Sequence, residues 1–332
     1  MGRFLGGRIG NFIQKQSQGF AEDGIHTLSD QFYQISLNGW KEGVNAVGGD
    51  SIVNAASGYK YHIFKNPGTF TLNSSEPQVV DVLIVAGGGR GGNNQGGGGG
   101  GGGGVKFLPQ HSISPGPYSI VVGGGAPAAT TTNADQNSST YGGNSSGFGW
   151  TCGGGAPGGQ SHALFDSGQN APNPGAPNYV RGCGGGGTGR NNVAGGSGLT
   201  SGGYACPNFD PPSDIDAGGG GGGAGGNGQN SPDGSGSGNG GAGHPSGITG
   251  STVIYAGGGG GGSQPNSNPY PGGAGGPGGG GAGAGTGQTD GVDGTDGLGG
   301  GGGGAQANGT AGTGGSGVVI VRYEIGETQY TA

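Results

Sequence analysis

Residues 95–105 read Gln-Gly-Gly-Gly-Gly-Gly-Gly-Gly-Gly-Gly-Val, nine glycines in succession from Gly96 to Gly104. Three six-residue runs echo it at Gly218–Gly223, Gly257–Gly262 and Gly299–Gly304, and shorter ones sit at Gly153–Gly155 and Gly184–Gly187. Glycine makes up 101 of the 332 residues. The chain is therefore either linker or a structure that only glycine can build. Collagen is excluded: it needs glycine strictly at every third position, and an unbroken run offers no X or Y side chains.

Two readings remain. Glycine-rich chain with 28% hydrophobic residues lacks apolar surface and behaves as flexible coil, although 9% charge is low for a disordered segment. The alternative is a bundle of polyproline-II-type glycine helices, with three residues per turn, a rise of about 3.1 Å and no internal hydrogen bonds. Their amides and carbonyls point sideways, towards neighbouring helices. A helix surrounded by others has no room for Cβ, whereas one at the edge can carry a side chain every third residue. Pro271, Ala274 and Pro277 have that spacing, as do Asp290, Asp293 and Asp296, and more loosely Asn239, Ala242 and Pro245. The periodicity favours the bundle.

The strands bracket the glycine. Tyr59–Phe64 and Thr69–Leu72 alternate on either side of Asn66-Pro67-Gly68, which predicts a hairpin. Val79–Val85 is nearly all apolar, as for a strand buried on both faces. Val105–Leu108 and Tyr118–Val122 predict a second pair through Pro115-Gly116-Pro117. The last strand is Val318–Tyr323, expected to join Val79–Val85 in one β module at the base of the bundle. The fold class expected is thus mainly β or irregular, a small β module capping polyglycine helices, with almost no α-helix. The divisions are an N-terminal segment 1–49, a β module 50–122 completed by 317–325, and a bundle 123–316 with displayed loops. In the first of these, Phe4, Leu5, Ile9, Phe12 and Ile13 share one helical face that could dock on a larger partner or fray. Gln31–Leu37 could be a short strand.

Net charge is −7 with a pI near 5.0, and the 11 Lys and Arg form no basic stripe, which argues against nucleic acid. No apolar stretch is long enough to span a membrane, and no secretory signal is expected at the N-terminus. Cys152, Cys183 and Cys206 leave three options: a Cys183–Cys206 bridge, a Cys152–Cys183 bridge, or no bridge.

The Val82–Gly92 stretch imitates a strand followed by a dinucleotide-binding loop, but nine glycines replace the helix that such a site needs. Asp290, Asp293 and Asp296 would lie roughly 9 Å apart along a three-residue turn, too far to share one calcium ion, and read better as a solvated acidic edge. The five histidines have no ligand-like spacing, and no serine sits in a nucleophile elbow. No catalytic, cofactor or metal residues are assigned. Phe148 and Trp150 are expected to staple the bundle's end. Phe165, Tyr179, Tyr204, Phe209 and Tyr270 lie in the loops and are the candidates for contacting a receptor.

Val-Leu-Ile-Val-Ala-Gly-Gly-Gly89, Gly116-Pro-Tyr-Ser-Ile-Val-Val-Gly-Gly-Gly125, Gly142-Gly-Asn-Ser-Ser146 with Phe148, and Gly-Gly-Ser-Gly-Val-Val-Ile-Val-Arg-Tyr323 together resemble the glycine-rich domain of bacteriophage tail-fibre and virion proteins and some bacterial surface proteins. The resemblance covers about residues 55–325. It implies a non-enzymatic virion appendage, exposed outside the cell in the mature particle, whose bundle supports loops that touch a host saccharide or outer-membrane protein. The leading Met-Gly-Arg-Phe-Leu-Gly-Gly-Arg looks like the first segment of structural proteins in some marine phages, where it would attach the chain to other virion proteins. A homo-oligomer, a trimer, is a further expectation. A purely structural spacer is the competing reading, and a bacterial surface adhesin a third.

Overall fold

The computed structural model describes residues 43–55, 58–93, 96–128, 140–160, 177–188, 217–231, 236–263 and 270–325. Within these the chain is strand or irregular, without helix. The strands are β1 (Ala46–Val47), β2 (Ser51–Asn54), β3 (Tyr59–Phe64), β4 (Gly68–Leu72), β5 (Gln78–Val85), β6 (Val105–Ile113), β7 (Gly116–Ile120), β8 (Ser145–Gly147), β9 (Trp150–Cys152), β10 (Tyr179–Val180), β11 (His244–Ser246), β12 (Val253–Tyr255) and β13 (Val318–Glu324).

The module at the base is a five-stranded sheet in the order β2-β3-β13-β5-β6, faced by a three-stranded sheet β1-β4-β7. β5 and β13 are antiparallel neighbours, with Val82 opposite Val321, so the two ends of the glycine region are tied together directly. Alternation sends Val80, Val82 and Ile84 to one face, with Val319, Val321 and Tyr323, against Phe64, Phe70 and Leu72. Leu83 and Val85 go to the other, with Val318 and Ile320, against Ile248, Tyr255 and Ala256. Both faces of β5 are covered, as its continuous apolar run demands.

The two expected hairpins are not hairpins. β3 lies in the five-stranded sheet while β4 pairs with β1 and β7, and β6 pairs with β5 while β7 pairs with β4. Each turn instead carries the chain from one sheet to the other. The Asp50 carboxylate fixes the first corner by accepting the Lys65 and Asn66 N–H groups at 2.6 and 2.9 Å, which holds its carboxyl below the usual range. The module also starts earlier than residue 50, since Val44 and Ala46 are in the core. The expected docking residues Phe4, Leu5, Ile9, Phe12 and Ile13, and the strand at 31–37, lie outside the described residues.

The glycine runs form a laterally bonded lattice. The N–H groups of Gly97, Gly100 and Gly103 donate to the carbonyls of Ala305, Gly302 and Gly299. Those of Gly98, Gly101 and Gly104 donate to Gly159, Ala156 and Gly153, and those of Gly99 and Gly102 to Gly219 and Gly222. In return, carbonyls of the same run accept from Ala86, Gly89 and Gly92, from Cys183 and Gly186, and from Gly259 and Gly262. Three neighbours receive bonds and three give them, each contacted once per three residues, which is a polyproline-II helix at the centre of a hexagon. These bonds span 2.7–3.1 Å.

No glycine of Gly97–Gly104 has a positive φ, so glycine's extra conformational freedom is not what selects it there. Space is. A Cβ on Gly98 would stand 2.0 Å from the Gly186 carbonyl oxygen, and one on Gly101 2.1 Å from that of Cys183. At the edge the rule relaxes: Pro271, Ala274 and Pro277 are exposed while Gly273 and Gly276 are buried.

Two predictions follow from this packing. Gly98→Ala forces backbone apart inside the lattice and should abolish soluble expression or lower the melting temperature by more than about 10 °C, several times the shift of an average substitution. Gly124→Ala, where a Cβ meets nothing within 4 Å and φ is not positive, should stabilise by about 0.4–1 kcal/mol by restricting the unfolded chain. Thermal melts of the two variants test both.

A third concerns His62, which is 0% exposed. Its Nδ1 lies 2.7 Å from the Gly48 carbonyl and its Nε2 2.9 Å from the Tyr323 hydroxyl. A carbonyl only accepts, so Nδ1 carries the proton and Nε2 accepts from Tyr323. Burial pushes His62 below its ordinary 6.5. In the window below 6.5 the unfolded chain takes up a proton that the folded chain refuses, so stability is full above this pH and falls as pH drops through it. The melting temperature should decline from pH 7 towards 5.5, and less steeply in His62→Gln, with His244, also lowered by burial, keeping part of the slope.

Candidate functional site

The lattice gives the molecule two unlike ends. Residues next to the β module, such as Ala86, Gly104, Gly153 and Gly299, mark one. The residues flanking segments 94–95, 129–139, 189–216, 232–235 and 264–269 all lie on the side away from the module, as do the turns at 287 and 308. The near end is closed by strands and by the tight turns at 224–225, 277–279 and 296–299, and the far end carries the flanks of those segments.

At the far end the glycine runs stop on buried polar residues. Ser263 follows Gly257–Gly262 and is 0% exposed, Thr188 follows Gly184–Gly187 and is 0% exposed, and Gln306 is 6% exposed. Ser263 Oγ donates to the Tyr270 carbonyl at 3.0 Å and accepts from Gln306 Nε2 at 3.1 Å. The Tyr270 carbonyl also accepts the Thr286 N–H at 3.2 Å. Asn93 Oδ1 accepts the Ala311 N–H at 2.8 Å. With the Gln160 amide turned to present its oxygen, it accepts both Arg90 guanidinium N–H groups at 2.6 and 2.7 Å. These side chains supply the bonds that the lattice itself stops supplying at its end.

Of the five candidate receptor aromatics, Phe165, Tyr204 and Phe209 lie outside the described residues. Tyr270 is half-buried at the far end. Tyr179 is at the opposite end and 6% exposed, in β10 paired with β9. Its hydroxyl would be 2.3 Å from a Cβ on Gly153. Tyr179 is therefore a packing residue, because its ring fills space beside the glycine backbone, and burial pushes its phenol up. The structure does not bring Tyr179 and Tyr270 together.

Phe148 and Trp150 are at the near end. Phe148 has φ +53 and precedes Gly149 with φ +79 in the β8–β9 turn. Its ring stacks on Tyr118 at 5.0 Å and meets Phe70 edge-on at 5.8 Å. The aromatic packing offsets the left-handed backbone. Lys106 Nζ sits 3.9 Å from the Trp150 ring centroid. Cys152 is free and buried, and Cys183 is disulfide-bonded, which excludes a Cys152–Cys183 bridge. Cys206 lies outside the described residues.

The acidic edge has a specific task. Asp290, Asp293 and Asp296 Oδ1 atoms accept the N–H groups of Thr310, Thr313 and Ser316 at 2.7, 2.7 and 2.8 Å. Each following glycine returns a bond, with Gly291, Gly294 and Gly297 donating to the same three residues' carbonyls. Carboxylates spaced by one helical turn thus stand in for a neighbouring helix. Asn239 does the same for the Ala274 N–H at 2.7 Å, and Pro271 and Pro277, in the same row, have no N–H to cover. Among the described residues no three His, Cys, Asp or Glu side chains group as metal ligands, and no helix is long and apolar enough to cross a membrane.

A β module tied across its two ends, carrying a lattice of glycine helices, defines a glycine-rich structural domain. A family model described as a glycine-rich domain matches residues 65–324, and the chain belongs to that family. No curated protein matches it.

Removing one edge acceptor should be measurable. Asp293→Ala leaves the Thr313 N–H to water and should cost about 0.5–1 kcal/mol, while Asp293→Asn, which keeps Oδ1, should cost less. A triple alanine variant at 290, 293 and 296 should roughly sum the losses in denaturant titration, since each pairs with its own donor.

Proposed function

We propose that this chain is a bacteriophage virion appendage of the tail-fibre or surface-fibre type. The part of residues 1–49 that precedes the module attaches it to other virion proteins, and the far end of the bundle presents its connecting segments to a host-cell saccharide or outer-membrane protein. The observation that carries this reading is the polarity of the fold. One end of the block is closed by strands and tight turns, the other carries the flanks of segments 129–139, 189–216, 232–235 and 264–269, and connecting segments held on a rigid frame suit recognition. The first described residues, from 43 on, enter the β module, which supports a reading in which attachment is made from the module's side. Tyr270 is the aromatic candidate that fits a far-end contact.

The test is binding of labelled protein to intact host cells. Replacing 129–139 or 264–269 by glycine-serine of equal length should lower binding at least tenfold for a segment that touches the receptor, with the melting temperature unchanged. Absence of binding by the unmodified chain would favour the spacer reading, in which the bundle sets a distance on the particle.

A further inference from the structure

Asparagine is a thermolabile residue, most of all before glycine, where no Cβ hinders the next backbone nitrogen from closing on the side-chain carbon. Aspartate before glycine shares the weakness. The edge of the lattice uses such pairs, because Asn or Asp caps a neighbour's N–H and glycine occupies the next position. Among the described residues they begin at Asn227, Asn239, Asp290, Asp293, Asp296 and Asn308. In all but the first, the glycine N–H is bonded. Gly291, Gly294 and Gly297 donate to the Thr310, Thr313 and Ser316 carbonyls, Gly240 to that of Ala274 at 2.9 Å, and Gly309 to that of Gln306 at 3.2 Å. A nitrogen held in this way points away from its own side chain. Asn239 is held further, since its carbonyl accepts the Gln229 N–H at 2.8 Å and its Nδ2 donates to Gln229 Oε1 at 2.9 Å.

Asn227-Gly228 differs. Among the described residues neither the Asn227 carbonyl nor the Gly228 N–H has a hydrogen-bond partner. The Asn227 side chain is exposed, and Gly228 is half-buried. The bonds on either side run from the Gly226 N–H to the Gly223 carbonyl at 3.2 Å and from the Gln229 N–H to the Asn239 carbonyl at 2.8 Å. Both belong to other peptide units, so the peptide between 227 and 228 turns without breaking a lattice bond.

We propose that Asn227 is a self-modifying site, deamidated by the Gly228 backbone nitrogen with water as the second reactant. The Gly228 nitrogen gives its proton to solvent hydroxide and attacks Asn227 Cγ. The N–Cγ bond forms, the Cγ–Nδ2 bond breaks, and ammonia leaves, carrying a proton returned by water. Water then opens the cyclic imide. Cleavage between the nitrogen and Cγ gives aspartate, and cleavage between the nitrogen and the Asn227 backbone carbonyl carbon gives isoaspartate. The net change is ammonia for water. It places a carboxylate on the side of the bundle, and in isoaspartate the main chain gains one carbon. The same lattice bonds that build the block thus protect its other Asn-Gly and Asp-Gly pairs from this chemistry.

The full chain is incubated in mildly alkaline buffer, folded and in parallel in concentrated urea, and its peptides are mapped by mass spectrometry with enzymatic detection of isoaspartate. In urea Asn227, Asn239 and Asn308 should convert at similar rates. In the folded chain Asn227 should stay within about threefold of its urea rate, while Asn239 should slow at least roughly tenfold, because a bonded N–H reacts only through local opening. Asn308, with its single longer bond, should fall between them. The product at 227 should contain isoaspartate, and the rate should rise with pH, since the attacking nitrogen must lose its proton. Asn227→Gln, which would need a larger ring, should silence the site with the melting temperature unchanged. Conversion of Asn239 as fast as Asn227 in the folded chain, a roughly tenfold or greater slowing of Asn227 on folding, or aspartate without isoaspartate would each overturn the proposal. The comparison of folded with unfolded chain uses the unmodified sequence, so it decides the matter even if Asn227→Gln does not fold.

Discussion

The fold rests on the lateral hydrogen bond between glycine helices and on the backbone spacing that bond requires. A polyproline-II helix makes no bond to itself, so each buried N–H and C=O must find a partner on another helix or remain unsatisfied. Partners at 2.7–3.1 Å leave about 2 Å between a built Cβ and the facing carbonyl oxygen along most of the runs. The glycine content follows from this distance. An ordinary core gains stability by burying side chains; this one satisfies backbone at close quarters, with Cα–H···O contacts adding to the bonds. Neighbours run in either direction, since Gly97–Gly104 is antiparallel to Gly299–Ala305 and parallel to Gly218–Gly223. Consecutive helices are accordingly antiparallel neighbours, as 86–92 and 97–104 are, or parallel ones, as 153–159 and 180–186 are.

Such a lattice must also end. At its sides the exposed rows carry proline, which has no donor, or aspartate and asparagine, whose side-chain oxygens replace the missing carbonyl. At the far end Ser263, Gln306 and Asn93 do the equivalent. At the near end the helices run directly into strands: Ala86 continues β5, Val105 opens β6 and Gly317 precedes β13. The extended backbone of a strand and that of a polyglycine helix are close enough for one to pass into the other without a turn. The module holds its strands by conventional burial on both faces of β5 and β13. Arg322 adds a lock, donating to Asp81 and to the Gly247 and Ile248 carbonyls, which fastens the β11–β12 connection against the sheet.

Much of this could be read from the residues. The apolar runs Val79–Val85 and Val318–Tyr323 named the central strands, and the period-three spacing of Pro271, Ala274 and Pro277 named an edge row. Strand pairing was harder. Alternation tells which face a side chain takes but not which strand lies alongside, so Asn66-Pro67-Gly68 read as a hairpin when it is a corner between sheets. Tyr179 read as a loop aromatic because β10 is two residues long and is preceded by Asn178 at φ +62, leaving no periodic signal. Ser263, Thr188 and Gln306 give no signal in the sequence pattern because single polar residues carry no period. Their signal was positional: each follows closely on a glycine run where that run stops.

This economy separates what the sequence can vary from what it cannot. Inside the lattice most glycine positions are fixed by distance to a facing carbonyl, so substitution at these is excluded whatever the side chain's chemistry. Beyond the last satisfied backbone pair the lattice sets little constraint on segments 232–235 and 264–269, because Ser231 and Ser263 close a bond across the base of each. Ser263 and Tyr270, which flank 264–269, are bonded to each other through Ser263 Oγ and the Tyr270 carbonyl. The two feet of that segment are thus held by the frame itself. A segment with fixed feet can change its sequence at little cost to the fold, which is the property that a surface adapting to different partners requires.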